Sequence, residues 1–227
     1  MNNKLNITIN LIKTTILYLV FAIFTILVSI VDVEQIGPGK SKIGFSHLNA
    51  KFIQMTGVHR ALYSVTDLLA VISILFMVGF ATFGIYQLLK RKSLFKVDAE
   101  LYALAVTYII MIAIYLIFEK VIINYRPVLI DEALEASYPS SHTMLAVTVF
   151  VTSAFEFRRL IRSRKIAVPA IIISLVLCII AVTGRLLCGV HWLTDIIAAV
   201  IISSALVMSY RTLTLIIGTI LKKLTNK

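Results

Sequence analysis

The chain has little with which to cross-link itself or gather a metal. It holds two cysteines in 227 residues. Cys178 falls inside an apolar run and Cys188 in a connection, so neither a disulfide framework nor a zinc spacing can be read from them. No cluster of carboxylates stands ready for a divalent cation, and no internal repeat or low-complexity stretch is visible. Charge is sparse: 15% of residues are Asp, Glu, Lys or Arg, against 59% hydrophobic residues and a mean hydropathy of +0.97. Few soluble domains are that apolar. There is no room for a separate soluble domain.

What is present is a series of long apolar runs. Spans of about 20 apolar residues cross a bilayer as helices. Six are expected, at about 14–31, 61–89, 101–118, 142–157, 166–183 and 191–210. A further apolar piece, Thr212 to Leu221, is too short to span and reads as an extension of the sixth helix or as an interfacial segment. The first run follows Lys4 and Lys13 as a signal peptide would, but no small-residue cleavage site follows it, so an uncleaved span is expected. The fold class is therefore all-α: an integral membrane bundle of six helices in one domain over 1–227, with short loops and one longer outside loop.

The net charge of +11 is sorted by loop. Most of the basic residues precede the first span (Lys4, Lys13), lie between the second and third (Lys90 to Lys96), between the fourth and fifth (Arg158 to Lys165), or follow the sixth (Arg211, Lys222, Lys223, Lys227). By the positive-inside rule those loops are cytoplasmic, with both termini inside. Nucleic-acid binding is excluded as the meaning of the charge, because it sits in short loops between spans.

Between Asp32 and Arg60 lies the longest stretch that does not span. It opens with the turn-like Gly37-Pro38-Gly39. Phe45, Leu48, Phe52 and Ile53 then recur at near-helical spacing, which predicts a short interfacial helix.

Polar residues at the outside helix ends carry the chemistry. Arg126-Pro127 follows the third span, with Lys120 six residues earlier. Pro139-Ser140-Ser141-His142 opens the fourth, where a serine cap and the free N–H groups of a helix N-terminus suit an anion. Arg185 stands six residues before His191, across a turn containing Gly189, and Asp195 follows four residues later. That last spacing predicts His191 and Asp195 on one face of the sixth helix, the carboxylate fixing the tautomer of the imidazole. Taken singly, each piece also reads as an ordinary cap, an interfacial pair or a snorkelling arginine. Together they supply what metal-free phosphoryl transfer needs: cations, a nucleophile, an acid and an orienter. Ionisable groups beside membrane helices are costly and mark function. Asp67 and Glu156 are also ionisable residues near spans, without an assigned role.

The ordered set Arg-Pro, Pro-Ser-x-His and Arg-x5-His-x3-Asp resembles the type 2 phosphatidic acid phosphatase (PAP2) superfamily of membrane lipid phosphatases, from about Lys120 to Asp195. That family's pattern reads Lys-x6-Arg-Pro, Pro-Ser-Gly-His and Ser-Arg-x5-His-x3-Asp. The resemblance implies that His191 is a nucleophile forming a phosphohistidine, Asp195 its orienting partner and His142 the general acid. It implies phosphate binding by Arg126, Arg185 and Ser140, with Ser141 and Lys120 beside them, and neither metal nor cofactor. Lys120 stands one residue closer to Arg126 than the family's lysine, Ser141 replaces a glycine, and Gly184 replaces the serine before Arg185. The expected enzyme is a multi-pass cell-membrane phosphatase with an outward-facing site. Undecaprenyl diphosphate is the leading substrate by family analogy. Phosphatidylglycerophosphate and phosphatidic acid are alternatives, as are phosphoryl transfer to an acceptor other than water and a non-catalytic lipid-phosphate binder or transporter.

Overall fold

The computed structural model describes residues 3–129 and 133–225; Lys227, assigned above to the inside, lies outside them. The chain forms α1 (Asn3–Ile30), α2 (Ser46–Thr56), α3 (Arg60–Arg91), α4 (Ala99–Lys120), α5 (Ser141–Leu160), α6 (Arg164–Leu187) and α7 (Leu193–Thr225). Single 3-10 turns at Pro38–Lys40 and Leu94–Lys96 interrupt two of the connections. Among the described residues there are isolated β-bridges and no strand.

Five of these helices, α1, α3, α4, α6 and α7, are long and apolar enough to cross a membrane. The expected fourth span, α5, differs. Its 20 residues reach about 30 Å at 1.5 Å per residue, the thickness of a hydrocarbon core, yet it is too polar to count on composition. The reason is its position. It packs against α3, α4, α6 and α7, and Thr143, Thr148, Thr152, Ser153 and Glu156 are all fully buried. A helix surrounded by protein need not be as apolar as one facing lipid. Thr152 and Ser153 satisfy their hydroxyls by bonding back to carbonyls of their own helix.

The other partner in the core is α7. Its Ala198, Ala199, Ile202, Ala205 and Leu206 are buried, and small residues let α1, α4 and α5 approach closely. The apolar piece Thr212 to Leu221 is a continuation of α7, as one of the two readings held. The short helix expected in the 32–60 stretch is α2, at Ser46–Thr56.

The segment between α1 and α2 is clamped at both ends. Asp32 accepts bonds from the backbone N–H and side chain of His47 and from the Ser46 hydroxyl. Gly44 lies so close to the Val28 carbonyl that a Cβ there would fall 1.6 Å from the oxygen. Buried Asn49 donates to the Gly44 carbonyl and to the Thr194 hydroxyl, and its own oxygen accepts the Thr194 N–H. The expected outside loop is thereby fastened to the start of α7.

At the opposite end of the bundle a polar network joins four elements. Glu156 is fully buried; it accepts bonds from Tyr210 of α7 (2.5 Å) and from Arg159 (2.8 Å). Arg159 also pairs with Asp98 at 2.8 Å, and Gln87 of α3 donates to the same carboxylate. Removing one member of a buried ion pair strands its partner and costs about 3 kcal/mol or more. Glu156→Ala is expected to lower the thermal midpoint in detergent by several degrees. An unchanged midpoint would show that the network holds nothing together.

Candidate active site

The chain reverses direction between successive long helices, so α3, α5 and α7 begin at the membrane face where α1, α4 and α6 end. The motif residues gather there. Each is set by a different local device.

His191 sits in the α6–α7 connection, one residue before Trp192 and two before α7 begins at Leu193. The expectation that it shares a helical face with Asp195 is therefore corrected: Asp195 lies in the first turn of α7, and His191 is folded back over it from the loop. Gly189, at φ +76°, makes this turn, and a Cβ there would fall 2.3 Å from the Gly57 carbonyl oxygen. The pair is nonetheless close, with His191 Nδ1 3.7 Å from Asp195 Oδ2. A nearer acceptor is the Ser137 carbonyl, 3.1 Å from Nδ1. Only acceptors face Nδ1, so it carries the proton and leaves Nε2 with a free lone pair. Nε2 is buried and has no hydrogen-bond partner among the described residues.

Asp195 is fully buried and is itself held. Oδ1 accepts from Asn124 at 3.0 Å, and Oδ2 from the Trp192 N–H at 3.0 Å. Asn124, which the motif reading missed, also receives the Ser137 N–H and hydroxyl on its backbone carbonyl. One residue thus orders both acceptors that His191 faces.

Ser140 caps α5, its side-chain oxygen accepting the Thr143 N–H, while its own N–H bonds the Asp195 carbonyl at 3.1 Å. The N–H groups of Ser141 and His142 stand in the first turn of α5, at the positive end of its dipole. Arg126 is held by Glu135: its Nε lies 2.9 Å from Oε2, and its N–H bonds the Glu135 carbonyl. Its Nη1 is buried without a partner.

Arg185, in the last turn of α6, is 0% exposed. Its guanidinium lies 4.7 Å from the Tyr63 ring centroid, and Nη2 donates to Asp67 Oδ1 at 3.0 Å. Nε and Nη1 have no partner. The same Asp67 oxygen lies 3.2 Å from His142 Nε2. Gly184 makes this approach of α6 to α3 possible, because a Cβ there would fall 2.7 Å from Thr66 Cγ2.

Lys120 is the exception. It is the last residue of α4 and is exposed; the structure does not bring it to the others. Glu119, not Lys120, lines the small polar cleft formed with Tyr115, Arg126, Ser137, Ser141 and His191. The register of one residue noted in the sequence turns the lysine away.

Burial is the main force holding the His191 imidazole below its ordinary pKa; Arg126 and Arg185 add to it, and Asp195 pulls the other way. The ring is consequently neutral at pH 7, as a nucleophile must be. From His142 an apolar cavity of about 480 Å³ runs between α3 and α4, lined by Ala70, Ile74, Met77, Met111, Ile112 and Tyr115. A second, of about 310 Å³, shares Met77 and continues along the same seam to Leu94 and Tyr102. Among the described residues, one trio brings three ligand atoms within 4.8 Å: Asp32, Glu34 and His47, all exposed. None belongs to the motifs.

Residues 120–216 match the sequence model of the PAP2 superfamily. The match takes in all three motifs. The enzyme class read from the motifs, a phosphatase acting on lipid phosphates, stands with it. Among solved structures, the chain is similar to a transmembrane PAP2-type phosphatidylglycerolphosphate phosphatase from Bacillus subtilis. The TM-score is 0.58 and the identity 19%, covering 88% of this chain and 94% of that one. At that identity the likeness establishes the fold. No curated protein sequence matches.

The departure at Gly184 has a measurable consequence. Thr66 is β-branched and its hydroxyl is bonded to the Tyr63 carbonyl, so it cannot easily swing aside. Gly184→Ser, which restores the superfamily's residue, is expected to lower the thermal midpoint and phosphatase activity together. Adding Thr66→Ala, which clears the space, is expected to recover both. A single substitution without effect would mean that α3 and α6 are free to separate.

Proposed function

We propose that the chain is a metal-independent phosphatase that removes phosphate from a membrane lipid through a phosphohistidine. The observation that carries this reading is the set of buried polar atoms in one site without partners among the described residues: Nε2 of His191, Nη1 of Arg126, and Nε and Nη1 of Arg185. Buried donors without acceptors cost about 1–3 kcal/mol each. An anion with several oxygens would satisfy the guanidinium donors, and the lone pair of Nε2 is the group required to attack its phosphorus.

In the first step His191 Nε2 attacks phosphorus in line. The bond from phosphorus to the leaving oxygen breaks, and His142 supplies that oxygen with a proton. The Nδ1–H···O=C bond to Ser137, with Asp195 beside it, stabilises the positive charge developing on the ring. Arg126, Arg185 and the first N–H groups of α5 stabilise the equatorial oxygens. In the second step His142 accepts a proton from water, the resulting hydroxide attacks phosphorus, and the P–N bond breaks. Inorganic phosphate leaves and His191 is restored.

The α3–α4 seam supports the substrate class. A phosphate at His142 has an apolar cavity beside it that continues along the two helices toward the opposite membrane face. Such a groove suits a long tail entering sideways from the bilayer. Undecaprenyl diphosphate, hydrolysed to the monophosphate, is our first assignment; phosphatidylglycerophosphate is the second, favoured by the similar Bacillus subtilis protein. The basic loops support an outward-facing site with both termini inside.

Purified protein in detergent with excess EDTA is expected to release phosphate from one of these lipids or from phosphatidic acid, and His191→Ala to abolish release. Loss of activity in EDTA, restored by a divalent cation, would overturn the metal-free mechanism. Lipid binding without any release would favour a binder or transporter. The acid limb of kcat/KM is expected below the ~6.5 of free imidazole, since His191 stays neutral until the pH falls through its lowered pKa. A limb at or above 6.5 would count against His191 as nucleophile. Ala70→Trp and Ile74→Trp fill the groove. They are expected to reduce kcat/KM at least tenfold for a long-chain lipid and little for a short water-soluble phosphate ester. Equal losses on both would remove the groove from substrate binding.

A further inference from the structure

Asp67 lies outside every motif, on α3, more than fifty residues before Lys120. Its Oδ1 faces two residues to which the mechanism gives work: Arg185 Nη2 at 3.0 Å and His142 Nε2 at 3.2 Å. Arg185 is completely buried, while the Asp67 side chain is 39% exposed, so the pair joins a buried guanidinium to a carboxylate that reaches solvent. Two further contacts fix α3 here. Tyr63, one turn earlier, stacks on Arg185, and Thr66 fills the space beside Gly184.

The charges around His142 make this arrangement matter. Arg185 from α6, His191 from the α6–α7 connection and Arg126 from the α4–α5 connection bring positive or potentially positive groups toward its ring from three elements. Tyr115 of α4 lines the cavity beside it. Asp195 lies behind His191, and Glu135 is engaged by Arg126. Among the described residues, Asp67 is the carboxylate in contact with His142. A general acid must hold its proton until the leaving oxygen takes it, and a ring facing three cationic or potentially cationic groups loses it readily.

We propose that Asp67 is a positioning residue of this phosphatase, keeping His142 protonated for the first step and orienting Arg185 toward the phosphoryl oxygens. The inference rests on the mechanism proposed above. Asp67 remains a carboxylate throughout: His142 gives its proton to the leaving oxygen, regains one from the attacking water, and Asp67 stabilises the imidazolium at both ends of the cycle.

Asp67→Asn keeps the shape and removes the charge. It is expected to lower kcat by about tenfold to a hundredfold, to change KM by less, and to move the basic limb of the kcat profile about one unit toward acid. Asp67→Glu is expected to recover part of the rate and the wild-type limb. The independent readout is the titration of ring-labelled His142 by NMR, with His142→Gln assigning the resonance. Its midpoint is expected to fall by about one unit in Asp67→Asn. If the wild type hydrolyses no lipid, the function proposed above fails, yet the titration still decides what Asp67 does to His142. An unmoved midpoint and limb would overturn the inference, even with a lower thermal midpoint. A higher kcat with a lower KM would overturn it too, by showing that the carboxylate competes with substrate for Arg185.

Discussion

Everything at this site follows from crowding positive groups into a place of low dielectric. Arg126 and Arg185, with His142 when it is protonated, would repel one another and lose hydration, and neither cost is tolerable without compensation. The structure compensates by setting a carboxylate beside each. Glu135 takes Arg126 across a short bridged loop, Asp67 of α3 takes Arg185 and His142, and Asp195 of α7 backs His191. None of these pairs uses up its cation. Arg126 and Arg185 each keep donors without partners. The carboxylates hold the cations together without neutralising the surface presented to an anion.

The same demand explains the helices. α5 carries His142 at one end and Glu156 at the other and buries polar residues between them. It is tolerable only as an inner helix, walled by α3, α4, α6 and α7. α7 fills the remaining interior with alanines and lets its neighbours close. The apolar helices are then spent on the outside: α1, α3 and α6 turn isoleucines and leucines outward.

What the chain shows on reading is uneven for the same physical reasons. Residues that act within one turn or one motif were legible: the Ser140 cap, Arg185 and His191 around Gly189, and Arg126 before Pro127. That they meet at one end of the bundle followed from alternation of the helices. What was hidden depends on pairing over long separations, where spacing carries no information. Asn124 reaches Asp195 over 71 residues, and Arg185 reaches Asp67 over 118. Lys120 was misplaced because motif order was read without helix phase: at the end of α4, a register of one residue exchanges it for Glu119. The placement of His191 off the helix was missed because a turn at Gly189 and a helix start two residues earlier have nearly the same signature. α5 was recognised as a helix from its cap and length, but its inner position could not be inferred from its own sequence.

The substitution of glycine for serine at position 184 belongs with this pairing. A serine there could offer one more hydroxyl to an anion. Its Cβ, however, would occupy the space that Thr66 fills, and Thr66 is the residue beside Asp67. A side chain at 184 and a close α3 exclude each other. This chain has the close α3. The approach brings Tyr63 over the guanidinium and Asp67 into contact with both Arg185 and His142. The donor missing from α6 and the carboxylate gained from α3 are therefore one structural choice. The site gives up a neutral contact to substrate and gains control over the charge of its acid and the direction of its deepest cation.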